Sequence, residues 1–392
     1  MTQSTARRSS AAERRDEIAA CGGMRRRIFA AALALAAAVA VGAAEGPVRL
    51  DREKLLTYRT PTGAVAPVTT TAEWARRRAE IVAAAESVMG PLPGAAKRVP
   101  LDVRIETETD CGSYVRREIS YQAEPGARVP AYLLVPKDVL AGRAVRPGVL
   151  ALMPTNAAEG NRPVVGLGSA ATKPNRNYGE ELAQRGFVVL APPYPHLGDY
   201  KPDLDGLGYR SGTMKAIWDN VRGLDVLAAT PGVSPRGFGA IGHSLGGHNS
   251  IYTAVFDERI KAVVSSCGFD SYLDYYKEKQ AAVWKAGQGW TQFRYMPRLA
   301  DYAGRLEAIP FDFHELLGAL APRAMLAIAP KGDANFKWQS VDRVIAAARP
   351  VYALHGVAAR VDVVHPDCEH DFPPDMRERA YGWLERWLGQ AQ

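Results

Sequence analysis

From Pro147 onward the chain repeats one rhythm: a short apolar run, then a segment of helical spacing. The runs are GVLALMP (148–154), FVVLAPPY (187–194), GFGAIG (237–242), IKAVVSSC (260–267), AMLAIAP (324–330) and RVDVVHP (360–366). Runs this short and this continuously apolar suit strands covered on both faces, which parallel strands joined by helices achieve. The expected fold is therefore α/β, a mostly parallel, doubly wound sheet. Ahead of it stand VPLDVRIETE, SYVRREISYQ and VPAYLLVP, separated by the turn sequences TDCG and EPGAR. These predict antiparallel strands leading into the sheet. Earlier still, TTTAEWARRRAEIVAAAESV (69–88) predicts a helix opened by threonine caps and stopped by MGPLPG. The chain contains no internal repeat.

The start of the chain reads differently. MRRRIFAAALALAAAVAVGAAEG (24–46) has a basic cluster, an Ala-rich apolar run and small residues before Glu45. That is the pattern of an export signal cleaved near Ala44, by the general or the twin-arginine route, with Met1 or Met24 as the start. The expected organisation is residues 1–44 as extension and signal, 45–98 as a helical extension, and 99–392 as the main domain. The expected location is periplasmic or secreted, with no stable membrane partner once the signal is cleaved. The first 44 residues hold seven arginines and three acids, so removing them lowers the formal charge from +7 to +3. What is left has no Lys/Arg block of the sort that binds nucleic acid. Three cysteines remain in the body, Cys111, Cys267 and Cys368, and the last two are expected near each other as a pair or as packed thiols. No Cys-x-x-Cys or His-x-x-x-His spacing marks a metal site.

In an open parallel sheet, ligands collect beyond the carboxyl ends of the strands. Listed by strand, those ends carry Thr155-Asn156, then Tyr194-Pro195-His196, then Ser244, then Lys331-Gly332-Asp333, then Asp367-Cys368-Glu369-His370. Ser244 lies in Gly242-His243-Ser244-Leu245-Gly246 between the apolar run 237–242 and the helix-like LGGHNSIYTAVF. A serine there reads either as a helix N-cap or as a nucleophile held on a sharp strand-to-helix turn. The order serine, acid, histidine past successive strands favours the nucleophile. A serine hydroxyl needs a base to take its proton, histidine suits the task, and a carboxylate fixes the imidazole tautomer. His370, between the last strand and the C-terminal helix, is preferred as the base over His355 and His365. Asp333 is preferred as the acid over Asp342, Asp362 and Asp367. The aromatic-rich stretch 268–320 reads as a lid or pocket wall. Tyr194, His196, Trp290 and Tyr295 are the candidate substrate-pocket residues.

Several ordered motifs, GHSLGG, GTMKAIWDNVRGLDVL, SSCGF, IPFDFHELLGALAPR, APKGDANF and PDCEHDFPP, resemble those of the α/β-hydrolases. Within that superfamily, the chain is similar to bacterial serine esterases grouped with dienelactone hydrolases and acetylxylan-esterase-like proteins, over roughly residues 70–388. The resemblance implies Ser244 as nucleophile, Asp333 as acid and His370 as base. It also implies an oxyanion hole from the backbone N–H groups of Leu245 and of Thr155 or Asn156. Three departures stand out: Met153-Pro154 where many relatives have His-Pro or His-Gly, serine where dienelactone hydrolases use cysteine, and Leu245 where glucuronoyl esterases have arginine.

The expected activity is hydrolysis of small acyl esters of carbohydrate or wall-derived substrates through an acyl-serine intermediate, with no cofactor and no metal. Alternatives are an acyltransferase with the same triad, a glucuronoyl-esterase-like or prolyl-oligopeptidase-like hydrolase, and a non-catalytic binding protein on a hydrolase scaffold. Acyl group, alcohol and oligomeric state stay open at this point.

Overall fold

The computed structural model describes residues 49–171 and 174–389, which fall in one compact unit beginning at Arg49. The expected export signal lies outside the described residues. A small antiparallel hairpin comes first, β1 (Thr57–Arg59) against β2 (Val65–Pro67), which the sequence did not announce. Helix α1 (Thr71–Met89) follows and opens as the threonines suggest. The Thr70 hydroxyl accepts from the Glu73 N–H while the Glu73 carboxylate accepts from the Thr70 N–H, satisfying two donors that a helix start leaves free.

Three strands, β3 (Arg104–Asp110), β4 (Tyr114–Glu124) and β5 (Ala127–Pro136), form the antiparallel lead-in. After the short helix α2 (Lys137–Leu140) come β6 (Arg146–Leu152), α3 (Tyr178–Gln184), β7 (Val188–Ala191), α4 (Gly212–Ala229), β8 (Val233–His243), α5 (Leu245–Phe256) and β9 (Ile260–Ser266). The remainder is α6 (Gln280–Val283), α7 (Phe313–Leu320), β10 (Ala324–Ile328), α8 (Trp338–Leu354), β11 (Val361–Val364) and α9 (Pro374–Leu388). The nine-stranded sheet has the order β11-β10-β9-β8-β6-β7-β5-β4-β3. From β7 to β11 its neighbours are parallel, and from β7 to β3 they are antiparallel. The α/β class and the lead-in follow the apolar runs, because β7 and β10 are buried at every position. By contrast β3, at the sheet edge, is exposed throughout.

The winding direction reverses at β6: the chain moves to one side for β7 and returns to the other side for β8. Such a reversal opens a crevice between the loops that follow the two diverging strands. Here those loops start at Met153 and at Ser244, and Leu152 pairs with Gly242 across the last rung. The stretch 268–320 is mostly short 3-10 turns and coil up to Ile309, after which α7 is a regular crossover helix. No helix among the described residues is long and apolar enough to cross a membrane.

Candidate active site

Ser244 is the last residue before α5 and has a strained backbone, with φ 55° and ψ −122°. A side chain in that region is costly and persists only where the surroundings enforce it. They do so by contacts that only glycine permits. A Cβ on Gly242 would stand 2.2 Å from the Gly246 carbonyl carbon, and one on Gly246 would stand 1.9 Å from the Leu152 oxygen. Strand β6, strand β8 and the first turn of α5 are thus in backbone contact around the serine. The hydroxyl makes no capping bond. It meets His370 Nε2 at 2.9 Å instead. The cap reading of Ser244 therefore fails on geometry.

His370 reaches the serine from the loop after β11. Its Nδ1 lies 2.9 Å from Asp333 Oδ2. The Asp333 carboxylate is nearly fully buried, and its other oxygen accepts the N–H groups of Asn335 (2.7 Å) and Phe336 (3.2 Å). Backbone bonds from Lys331 N–H to the Pro366 oxygen and from Gly332 N–H to the Cys368 oxygen (both 3.0 Å) tie the acid's loop to the histidine's loop. The competitors are elsewhere. Asp342 binds His365 Nε2 at 2.8 Å, Asp362 binds Arg379 at 3.2 Å, and Asp367 is exposed.

The loop after β6 runs beside the first turn of α5, as the contact of Gly246 with Leu152 requires. Leu245 begins that helix, where N–H groups have no partner within the helix. The Thr155 and Asn156 backbone N–H groups find no acceptor among the described residues. The Thr155 hydroxyl meets the Tyr295 hydroxyl at 3.1 Å, so the aromatic stretch closes over this loop. Trp290 packs edge-on to Tyr295 at 5.2 Å and near-parallel to Phe336 at 6.5 Å, and Phe336 lies 5.9 Å from His370. Trp290 and Tyr295 stand together beside this loop, with Tyr194 behind them, its hydroxyl on Thr213 at 2.9 Å. His196 is not gathered there. Its ring packs on the exposed Phe293 at 4.6 Å, beside a separate small cavity.

Two further histidines flank the serine in sequence. His243 and His248 are both buried, and burial above all pushes both below the usual imidazole range, His248 to about 3. Both are neutral at physiological pH. Trp290 stacks on His248 at 4.0 Å. Phe336 was missed in the sequence, although it closes the quoted motif APKGDANF. Cys267 has its thiol within 4.8 Å of the Asp333 and His370 ligand atoms, the one such group of potential metal ligands among the described residues. It is not bonded to Cys368, since all the described cysteines are free; the Cys267 thiol donates to the Asp371 carbonyl at 3.3 Å.

Residues 203–356 match the family model of fungal glucuronyl esterase. A 4-O-methyl-glucuronoyl methylesterase of Phanerochaete carnosa is 25% identical over 203 residues, 47% of this chain and 49% of that protein. YtaP of Bacillus subtilis, which bears a hydrolase's name, is 27% identical over 220 residues, 54% of this chain and 69% of its own. Among solved structures, a glucuronoyl esterase from Solibacter usitatus superposes with a TM-score of 0.68 at 18% identity, covering 87% of this chain and 98% of that one. The chain has the fold of the glucuronoyl esterases. Glucuronoyl esterases recur among the matches even though Leu245 stands where arginine was expected in that group. The chain spans about half the length of the curated glucuronoyl methylesterase.

Proposed function

We propose that this chain hydrolyses carboxylic esters of carbohydrates through an acyl-Ser244 intermediate. The observation that carries the reading is the continuous pair of 2.9 Å contacts from Ser244 Oγ through the His370 ring to Asp333. As Ser244 attacks the ester carbonyl, His370 Nε2 takes its proton, then returns it to the departing alcohol. Asp333 keeps the other ring nitrogen protonated and stabilises the imidazolium. The N–H of Leu245, with Thr155 or Asn156 as second donor, holds the negative oxygen. Water then attacks the acyl carbon as His370 takes its proton, and the bond to Ser244 Oγ breaks as His370 passes that proton to the serine, releasing the acid. Trp290, Tyr295 and Phe336 form an apolar wall that shields the acyl group.

Among carbohydrate esters, the named relatives direct attention to the methyl ester of 4-O-methyl-glucuronate. Small acyl esters such as acetylated xylan are the second class, supported by the aromatic side chains of Trp290, Tyr295 and Phe336 beside the triad. Comparing release of methanol from the first with release of acetate from the second decides between them. Labelling by a fluorophosphonate probe tests the nucleophile; a purified Ser244→Ala variant that still labels or turns over would end the proposal. Transfer of the acyl group to added glycerol would identify the acyltransferase alternative. Cleavage near Ala44 and delivery outside the cytoplasm complete the reading, and N-terminal sequencing of the exported form checks them.

A further inference from the structure

On the far side of the aromatic layer from the triad lies a cavity of about 850 Å³. Its wall joins the start of the described chain, at Arg52 and Glu53, to the 268–308 stretch and to α7 and α8. Trp284 borders it and packs edge-on to Tyr275 at 6.1 Å, and Tyr275 in turn lies 5.7 Å from Trp290 of the active-site wall. The volume falls within the range of small-ligand sites.

The wall's chemistry selects the kind of ligand. Three cations, Arg52, Lys277 and Arg343, face three acids, Glu53, Asp274 and Glu307, so the cavity has no net charge to draw an ion. Several of these groups are already engaged: Arg52 with Asp312 at 2.6 Å and Arg343 with Asp274 at 2.6 Å. Others have bonding capacity left. His314, buried, has no partner for Nδ1, and burial lowers its pKa so that the ring is neutral, with one donor and one acceptor. The Trp284 indole N–H is buried and also without a partner. The side-chain amide of Gln280 gives its N–H to the Leu273 carbonyl, which leaves its oxygen as an acceptor. His314 Nδ1 and the Trp284 indole N–H are themselves shut off from solvent, so the polar groups left to meet a ligand are the charged side chains and the Gln280 amide oxygen, set among the apolar faces of Trp284 and Leu306. A ligand that is neutral, dense in groups able both to donate and to accept, and compact enough to enter is a polyhydroxylated one.

We propose that this cavity is a second carbohydrate-binding site, which takes a neutral sugar unit of the polymer whose ester the triad cleaves. The inference rests on the carbohydrate-ester reading for the meaning of the site, but its binding is measurable without turnover. The probe is ester-free xylohexaose, titrated calorimetrically into the full chain. Binding is expected in the unaltered protein and in His370→Ala. It is expected to weaken by about fivefold or more in Glu307→Ala, an exposed position chosen because it leaves the fold intact. That variant is expected to hydrolyse 4-nitrophenyl acetate at the unaltered rate. No heat with xylohexaose, or equal affinity in Glu307→Ala and the unaltered chain, would overturn the second site. Hydrolysis of nitrophenyl acetate without hydrolysis of any sugar ester would instead overturn the carbohydrate-ester reading, whatever xylohexaose does.

Discussion

Gly246 and Leu152 touch through their backbones: the position a Cβ would take on Gly246 is 1.9 Å from the Leu152 carbonyl oxygen. This contact presses α5 against the end of β6 and so fixes the distance between Ser244, the proposed nucleophile, and the loop proposed to hold the oxyanion. Neither partner is the end of a flexible side chain, so nothing local can give way. Gly246→Ala is expected to destabilise the fold by about 3 kcal/mol or more, at the upper end of overpacking costs. Chemical denaturation of the variant checks it; a loss under about 1 kcal/mol would mean that the turn relaxes.

Asp333→Asn is expected to keep the fold and to lower kcat by about four orders of magnitude, because the amide holds the imidazole in the wrong tautomer. Asp342→Asn and Asp367→Asn are expected to lie within a few-fold of the unaltered enzyme, since the first carboxylate is bound to His365 and the second is exposed. Steady-state kinetics on one nitrophenyl ester ranks all three. The reverse ranking would reassign the acid.

The thiols should be slow to react. Burial pushes the Cys267 thiol well up, and burial with nearby carboxylates raises Cys368 to about 11. The Cys368 thiolate therefore forms only as pH rises toward 11, the Cys267 thiol is likewise held protonated, and at pH 7.5 iodoacetamide is expected to leave ester turnover unchanged over an hour. Rapid inactivation, with the label mapped to Cys267, would contradict that protonation state.

His248 makes an acid-stability prediction. Its folded pKa is lowered to about 3, so below 6.5 the unfolded chain binds a proton that the folded chain does not. Stability is full above about pH 6.5 and falls as pH drops toward 3, by about 1.4 kcal/mol per pH unit for this one group. His248→Gln is expected to show a shallower decline in denaturation midpoint between pH 6 and 4 than the unaltered protein. Parallel slopes would mean that other groups dominate.

What the sequence revealed and what it hid divide along a physical line. That Ser244, Asp333 and His370 lie together was legible because each comes within four residues of the end of an apolar run, and a parallel sheet brings such positions to one edge whatever the loops do. The bond between Thr155 and Tyr295, 140 residues apart, had no such guide. Irregular chain without periodicity delivers Tyr295, and its destination depends on tertiary packing. The same holds for His196, whose place just past a strand suggested the site. Its left-handed backbone, φ 61°, turns the chain at that residue, and the ring meets Phe293 instead. The β1–β2 hairpin escaped notice because its strands are three residues each. The pairing of Cys267 with Cys368 was suggested by their places after strands of the same edge, but the first thiol turns to the Asp371 carbonyl.

The serine turn and the aromatic wall are built by different means, one by glycine contacts within the sheet and the other by a stretch of short turns laid over it. Point changes near Gly242, Ser244 and Gly246 meet backbone on every side, so a lineage has almost no freedom there. The stretch that carries Trp290 and Tyr295 has no ladder or helix register to preserve over most of its length. New substrates can therefore be acquired by rewriting that stretch alone, while the chemistry beneath it is inherited unchanged.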